Sequence, residues 1–197
     1  MIGLFDRDVF YKLIVCDLLE LALDAFGVTE PFRLFATSNE NSNRRALAKK
    51  LHGQELEIAM TRVSHYVSTV PTLSDELALG ITGTKVYQSL AEIDGIDDGE
   101  LLLASILITA PEGRLLITGD KRFVKSLKLH SPEYWNITKN SIITFEKCVL
   151  KILEMQGFEE VRNRSFNTCK CDESLRLAFG EGTNEAEFFA GLTSFAQ

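Results

Sequence analysis

Two aspartates stand where short apolar runs stop. Ile2-Gly3-Leu4-Phe5 ends at Asp6, and Leu115-Leu116-Ile117 leads through Thr118 and Gly119 to Asp120. Continuous apolar runs of this kind read as strands buried on both faces, as in a parallel sheet. In such sheets, ligand sites assemble beyond the carboxyl ends of the strands. Glu100 opens an apolar helical stretch just before the second of these strands, so a right-handed crossover can carry its carboxylate to the same edge. Carboxylates gathered there repel: at ~4 Å and an effective dielectric of ~20, each pair costs roughly 4 kcal/mol. A hard divalent cation turns that repulsion into ligation, and an all-oxygen donor set suits Mg²⁺ or Mn²⁺. Taken singly, Asp6, Asp98 and Asp120 also read as helix N-caps.

Other reactive side chains form no comparable set. Cys16 and Cys148 fall in apolar helical stretches and read as small core hydrophobes. Cys169-x-Cys171 could supply half of a zinc site, but no second half with ligand spacing follows, and His52, His65 and His130 are scattered. Arg44, Arg45, Lys49 and Lys50 on one helix, and Lys121, Arg122, Lys125 and Lys128 on another, could grip phosphates or simply face solvent. Trp135, beside Tyr134, reads as packing rather than as a stacking platform.

Regular elements must position the acids. After Asp6 a helix is expected from about Asp8 to Ala25, because Lys12, Asp17, Glu20 and Asp24 share a sector of about 140° and the rest of the face is apolar. Gly27 supplies its stop. A second strand is expected over Phe32–Ala36, then a polar turn over Thr37–Asn43. Helices should follow over Arg44–Leu51, Glu55–Thr69 and Lys85–Glu92, with Pro71–Thr84 mostly loop. Asp97-Asp98-Gly99-Glu100 opens the next helix. Lys121–Leu127 forms another after the strand, Ser141–Ile143 a short strand, and a helix carrying Phe145, Cys148, Val149 and Ile152 runs to Gly157. Strand and helix alternating in this way indicate a parallel sheet covered on both faces. The chain divides into a body, residues 1–163, and a C-terminal helical extension, residues 164–197, packed on it or on a partner. Phe188, Phe189, Leu192 and Phe195 form the apolar stripe of that extension, and Asn184 with Glu187 caps its helix.

The net charge of −7 over 197 residues excludes a general nucleic-acid coat. From Asp172 onward five acids (Asp172, Glu173, Glu181, Glu185, Glu187) face one base, Arg176, so −4 lies in the tail and −3 in the body. Charge alone therefore leaves RNA open as a partner. No uncharged apolar run approaches the ~20 residues that span a bilayer, and the N-terminus reaches Asp6 almost at once. A cytoplasmic location is expected.

Three stretches together resemble a known family. Phe5-Asp6-Arg7-Asp8-Val9-Phe10 is similar to the opening of the PIN domain, an apolar strand ending in an acid and running into a helix. Asp98-Gly99-Glu100-Leu101-Leu102-Leu103-Ala104-Ser105 resembles its acidic helix start, and Leu116-Ile117-Thr118-Gly119-Asp120-Lys121-Arg122-Phe123 its strand ending in Thr-x-Asp. The likeness covers roughly residues 1–145. It implies an α/β fold, a three-layer αβα sandwich with a central, mostly parallel sheet, and metal-dependent ribonuclease activity. It also implies a four-acid site for one or two Mg²⁺ or Mn²⁺ ions. Asp6, Glu100 and Asp120 map onto three of the acids, with Glu100 in place of the more usual aspartate. Glu40 is the only acid between Pro31 and Gln54 and falls in the expected turn, so Asp8, Asp97 or Asp98 could complete the site instead. Thr118, Lys121 and Arg122 are the candidate substrate contacts.

The activity expected from the resemblance is hydrolysis of RNA, as a toxin-type or defence-associated enzyme. RNA, a small protein antitoxin or other protein, and a second copy of the chain in a homodimer are the expected partners; a membrane is not. Two alternatives stand beside it. One is a PIN-like module that has lost an acid and binds protein or RNA. The other is a phosphatase or phosphotransferase using Asp6-Arg7-Asp8.

Overall fold

The computed structural model describes residues 1–34, 40–180 and 182–196, with Glu40 and Asn41 as backbone only. The chain is an α/β protein whose four described strands form one all-parallel sheet. Strands β1 (Ile2–Phe5), β2 (Glu30–Arg33), β3 (Arg114–Thr118) and β4 (Ile142–Thr144) lie in the order β2-β1-β3-β4. Helices α1 (Arg7–Val15) and α2 (Leu19–Phe26) join β1 to β2. Helices α3 (Glu40–Leu47), α4 (Gly53–Thr69), α5 (Asp75–Thr82), α6 (Lys85–Ala91) and α7 (Asp98–Thr109) lie between β2 and β3. Helices α8 (Lys121–His130) and α9 (Pro132–Thr138) precede β4. Helices α10 (Phe145–Gln156), α11 (Phe158–Ser165), α12 (Glu173–Ala178) and α13 (Glu185–Phe195) complete the chain.

The period-2 alternation of a strand sends successive side chains to opposite faces, and each face here has its own apolar cluster. Phe5, Leu115 and Ile117 pack with residues of α1, α2, α10 and α13. Leu4, Leu116 and Ile142 pack with α7 and α8 on the other side. The sheet is thus buried on both faces, which is why its central strands carry uninterrupted apolar residues.

Several elements differ from the sequence expectation. The single helix expected over Asp8–Ala25 is two, because Asp17 adopts a left-handed conformation with φ 59°. The Leu18 amide bonds the Leu13 carbonyl at 2.7 Å and the Asp17 amide bonds Ile14 at 3.0 Å, closing a Schellman turn. Asp17 falls on the polar sector, so periodicity passes through the break unaltered. The expected loop over Pro71–Thr84 contains α5, started by Ser74, whose hydroxyl accepts the Leu77 amide at 3.2 Å. The expected polar turn over Thr37–Asn43 lies partly outside the described residues, but its last four residues, Glu40–Asn43, open α3. Strand β2 spans Glu30–Arg33; Phe35 and Ala36 of the expected strand lie outside the described residues.

The C-terminal segment packs on the body. Phe188 and Leu192 are fully buried, Phe188 lying 4.1 Å and 5.4 Å (ring centroids) from Phe179 and Phe158. Phe189 remains exposed. Asn184 and Glu187 form the expected capping box. Cys171 stands with its sulfur 3.4 Å from that of buried Cys16. Tyr134 and Trp135 pack against the second cluster. No helix among the described residues is long and apolar enough to cross a membrane.

Candidate active site

Strands β1 and β3 are neighbours, with Phe5 opposite Ile117. The Asp6 amide continues the ladder by bonding the Ile117 carbonyl at 3.0 Å. The chain moves to one side of β1 for β2 and to the other for β3 and β4, so the order reverses at this pair. A crevice opens beyond the strand ends at such a switch point. Here it is a cleft of about 550 Å³, bordered among the described residues by six acids: Asp6, Asp8, Asp97, Asp98, Glu100 and Asp120. Gly119 lets the turn after β3 pass close over α1, since a Cβ there would meet Val9 at 3.2 Å and the Lys12 ammonium at 3.7 Å.

Each acid is held differently. Asp6 occupies the N-cap position of α1 but makes no side-chain cap bond. Burial pushes its pKa up to about 6, the charges of Asp8 and Asp97 add to this, and the amides of Arg7 and Gly119 pull the other way. The cap of α7 is Asp97, not Asp98. Its carboxylate accepts the Glu100 amide at 2.9 Å, while Glu100 Oε2 accepts the Asp97 amide at 3.2 Å. Glu100 is only 4% exposed. Burial lifts its pKa to about 8 against the pull of the Asp97 amide, and the charges of Asp97, Asp120 and Asp6 push in the same direction as burial. Asp120 caps α8, its Oδ1 accepting the Arg122 and Phe123 amides at 2.6 and 3.1 Å. Its Oδ2 lies 2.9 Å from the Arg122 guanidinium. Burial alone would raise this carboxyl, but Arg122 and the two amides outweigh it and hold the group below its ordinary range.

The donor set is all carboxylate oxygen, the chemistry that Mg²⁺ and Mn²⁺ require. The local field also fits a cation, because burial first, and then the neighbouring acids (Asp8 and Asp97 for Asp6; Asp97, Asp120 and Asp6 for Glu100), make both carboxyls resist ionisation. Among the described residues, however, no three His, Cys, Asp or Glu side chains stand at ligating distance as they are. One oxygen of Glu100 is engaged by the capping box, and both oxygens of Asp120 are engaged by the α8 cap and Arg122.

The remaining sequence candidates are dispersed. Thr118 is buried beneath the site, its hydroxyl accepting the Asp120 amide at 3.1 Å, so it orients Asp120 rather than facing a substrate. Lys121 turns away from the cleft to Glu146, at 3.1 Å, and to the Phe195 carbonyl. Arg122 does border the cleft. The side chain of Glu40 lies outside the described residues.

Two cations of the cleft were not singled out by the sequence. Lys12, one turn beyond Asp8, pairs with Asp172 at 2.9 Å, tying the C-terminal segment to the rim. Their 160-residue separation leaves no local signal. Arg7 directly follows Asp6, and that adjacency was visible, but nothing distinguished it from a solvated helix start.

Compared with protein-family models, curated proteins and solved structures, the chain matches none.

Proposed function

We propose that the chain is a PIN-like, divalent-metal-dependent endoribonuclease that hydrolyses RNA phosphodiester bonds in this cleft. The observation that carries the reading is that Asp6, Glu100 and Asp120, from three separate segments, border one crevice beyond the ends of β1 and β3. Asp6 and Asp120 would hold Mg²⁺ or Mn²⁺, with Glu100 joining directly or through water and Asp8, Asp97 or Asp98 nearby. Such a cation lowers the pKa of a water so that hydroxide is available near neutral pH, and it stabilises charge on the leaving oxygen. The chain's own contribution is electrostatic. It fixes carboxylates at the crevice, holds Asp120 through the α8 cap, and sets Arg122 at the rim for a phosphate. A toxin-type or defence role belongs to the same proposal, with a small protein antitoxin or a second copy of the chain as partner. So does a cytoplasmic location, which suits four unbridged cysteines.

The test is cleavage of RNA by purified protein in Mg²⁺ or Mn²⁺, arrest by EDTA, and loss of cutting in Asp6→Asn and Asp120→Asn with the fold retained. Cutting that survives in both variants removes the assignment. One observation favours a second reading, a PIN-like binding module without catalysis: the oxygens of Asp120 are already engaged by Arg122 and by the helix cap. That reading predicts RNA or protein binding with no response to metal.

A further inference from the structure

Beside the acid cleft lies a second hollow of about 190 Å³ that shares Arg7, Asp8 and Lys12 with it and adds Tyr11, Asn43 and Lys50. The sign of the charge reverses between the two. Among the described residues, the first has six carboxylates to three cations (Arg7, Lys12, Arg122), whereas the second has three cations (Arg7, Lys12, Lys50) to one carboxylate, Asp8.

The three cations are not equally engaged. Lys12 is matched by Asp172 at 2.9 Å. Lys50 donates to the Cys171 carbonyl at 2.8 Å, a neutral acceptor that leaves its charge unbalanced. The Arg7 side chain makes no hydrogen bond or ion pair with any described residue, and its Nε is shielded from solvent without an acceptor. A buried donor left unmet costs stability, so a sequence under no other demand would place a different residue here. The guanidinium fork matches the oxygens of a phosphate, to which it can bond through two parallel N–H groups. The polar wall opposite is made by Tyr11 and Asn43, whose side chains bond each other.

We infer that Arg7, with Lys50 behind it, binds a backbone phosphate of single-stranded RNA next to the phosphate held at the acid cleft, making the second hollow a substrate subsite. The inference rests on the reading of the acid cleft as the cutting site. Arg7 is a positioning residue in this scheme: it follows Asp6 in the chain, so a phosphate gripped by Arg7 sets where the strand crosses the carboxylates.

The experiment is fluorescence anisotropy with a labelled single-stranded oligoribonucleotide, in EDTA and again in millimolar Ca²⁺, for wild type, Arg7→Ala, Arg7→Lys, Lys50→Ala and the control Lys125→Ala. Arg7→Ala should weaken binding about ten-fold, as expected for a lost hydrogen bond to a charged group. It should also reduce the slope of log affinity against log salt by about 0.7. Arg7→Lys should restore the slope more than the affinity, because it returns the charge without the fork. Lys50→Ala should give a smaller loss and Lys125→Ala none. The Arg7 side chain has no hydrogen-bond or ion-pair partner to lose among the described residues, so the melting temperature of Arg7→Ala should not fall. Competition by inorganic phosphate at concentrations comparable to the oligonucleotide would show a free-phosphate site and overturn the RNA subsite. Equal affinity and slope in wild type and Arg7→Ala overturns it, as does absence of saturable binding by wild type in both conditions. A protein that binds through Arg7 yet never cuts keeps the subsite and loses the nuclease. A protein that cuts, with KM unchanged in Arg7→Ala, keeps the nuclease and loses the subsite.

Discussion

Asp97 and Glu100 hold each other across the first turn of α7: each carboxylate accepts the other residue's backbone amide, at 2.9 and 3.2 Å. The pairing completes the helix start and at the same time fixes Glu100 in the cleft, where burial and neighbouring acids lift its pKa to about 8. A capping residue and a prospective metal ligand are therefore the same side chain. Its two duties differ in the charge they need. The cap is made equally well by a neutral or a charged acceptor, whereas ligation needs the carboxylate.

The first prediction follows from that difference. Glu100 has its pKa raised from 4.5 to about 8 in the fold, and Asp6 from 3.8 to about 6. Between these values the folded protein holds more protons than the unfolded chain, so in EDTA their contribution is full at low pH and is lost as pH rises through 6 to 8. Glu100→Gln keeps the capping acceptor and removes the titration. Its melting temperature relative to wild type should climb steadily from pH 5 to pH 8. Parallel melting curves across that range would show that Glu100 is not held in its neutral form.

A second prediction concerns the cation itself. A ligand bound only by the folded state stabilises it by about 2.7 kcal/mol at a hundred times Kd, roughly 5–10 °C for a domain of this size at ~2–4 °C per kcal/mol. Mn²⁺ should give such a shift, larger at pH 8 than at pH 6 because Glu100 must lose its proton to join. Asp6→Asn should melt higher than wild type in EDTA, since Asp6 has no cap bond to lose and one repelling charge is removed. The same variant should gain little from Mn²⁺. A wild-type curve that does not move in millimolar Mn²⁺ removes the metal site.

The core of this arrangement was legible from local pattern. Uninterrupted apolar residues in Leu4-Phe5 and Leu115-Leu116-Ile117 announced strands buried on both faces, and the acids after them mark the sheet edge. Local chemistry also foretold the Asn184–Glu187 cap. Less legible were features made by contacts distant in sequence. The break at Asp17 is stabilised by Arg62 at 3.2 Å, a residue of another helix, and periodicity cannot see it. Lys12 read as the polar edge of a helix because Asp172, which gives it a role, lies in the last quarter of the chain.

That long-range pair carries the third prediction. Asp172 is buried, its carboxyl held below the ordinary range: burial raises it, but Lys12, Ser174 and the Leu175 amide together outweigh burial. It also caps α12 through the Leu175 amide at 3.0 Å. Asp172→Asn keeps the cap and breaks the pair, leaving a partly buried Lys12 with only the weaker charges of Asp8 and Glu146 acting on it. The cost should fall between the ~1 kcal/mol of an exposed pair and the ~3–5 kcal/mol of a buried one, because Lys12 retains some contact with water. Asp172→Ala should cost about 1 kcal/mol more, the value of a lost cap. Since the pKa is lowered, this stability is present above its ordinary value and fades as pH falls below about 4. Denaturant melts at pH 7 and pH 3 would measure both, and a variant as stable as wild type at pH 7 would show that the ion pair does not anchor the C-terminal segment.

The last prediction separates the metal reading from the capping reading at Asp120. Arg122 lies 2.9 Å from Asp120 Oδ2, yet its own side chain is 86% exposed. The helix cap runs through the other oxygen, Oδ1. Arg122→Ala should therefore leave α8 and the melting temperature in EDTA nearly unchanged, as exposed pairs contribute little. The Asp120 carboxylate should become freer: its pKa moves back toward the ordinary range, and Oδ2 no longer faces a competing cation. If Asp120 is a ligand, Mn²⁺ should bind several-fold more tightly to Arg122→Ala than to wild type, while RNA affinity falls because a rim cation is gone. If Asp120 only caps α8, the substitution changes neither metal binding nor the Mn²⁺-dependent melting shift. Titration calorimetry with Mn²⁺ and anisotropy with RNA on the same variant resolve the two. Opposite movements of metal and RNA affinity support a metal ligand beside a phosphate-gripping arginine. Weaker Mn²⁺ binding in Arg122→Ala would mean that the pair orients Asp120 for the cation instead of competing with it, and would overturn this account of Asp120.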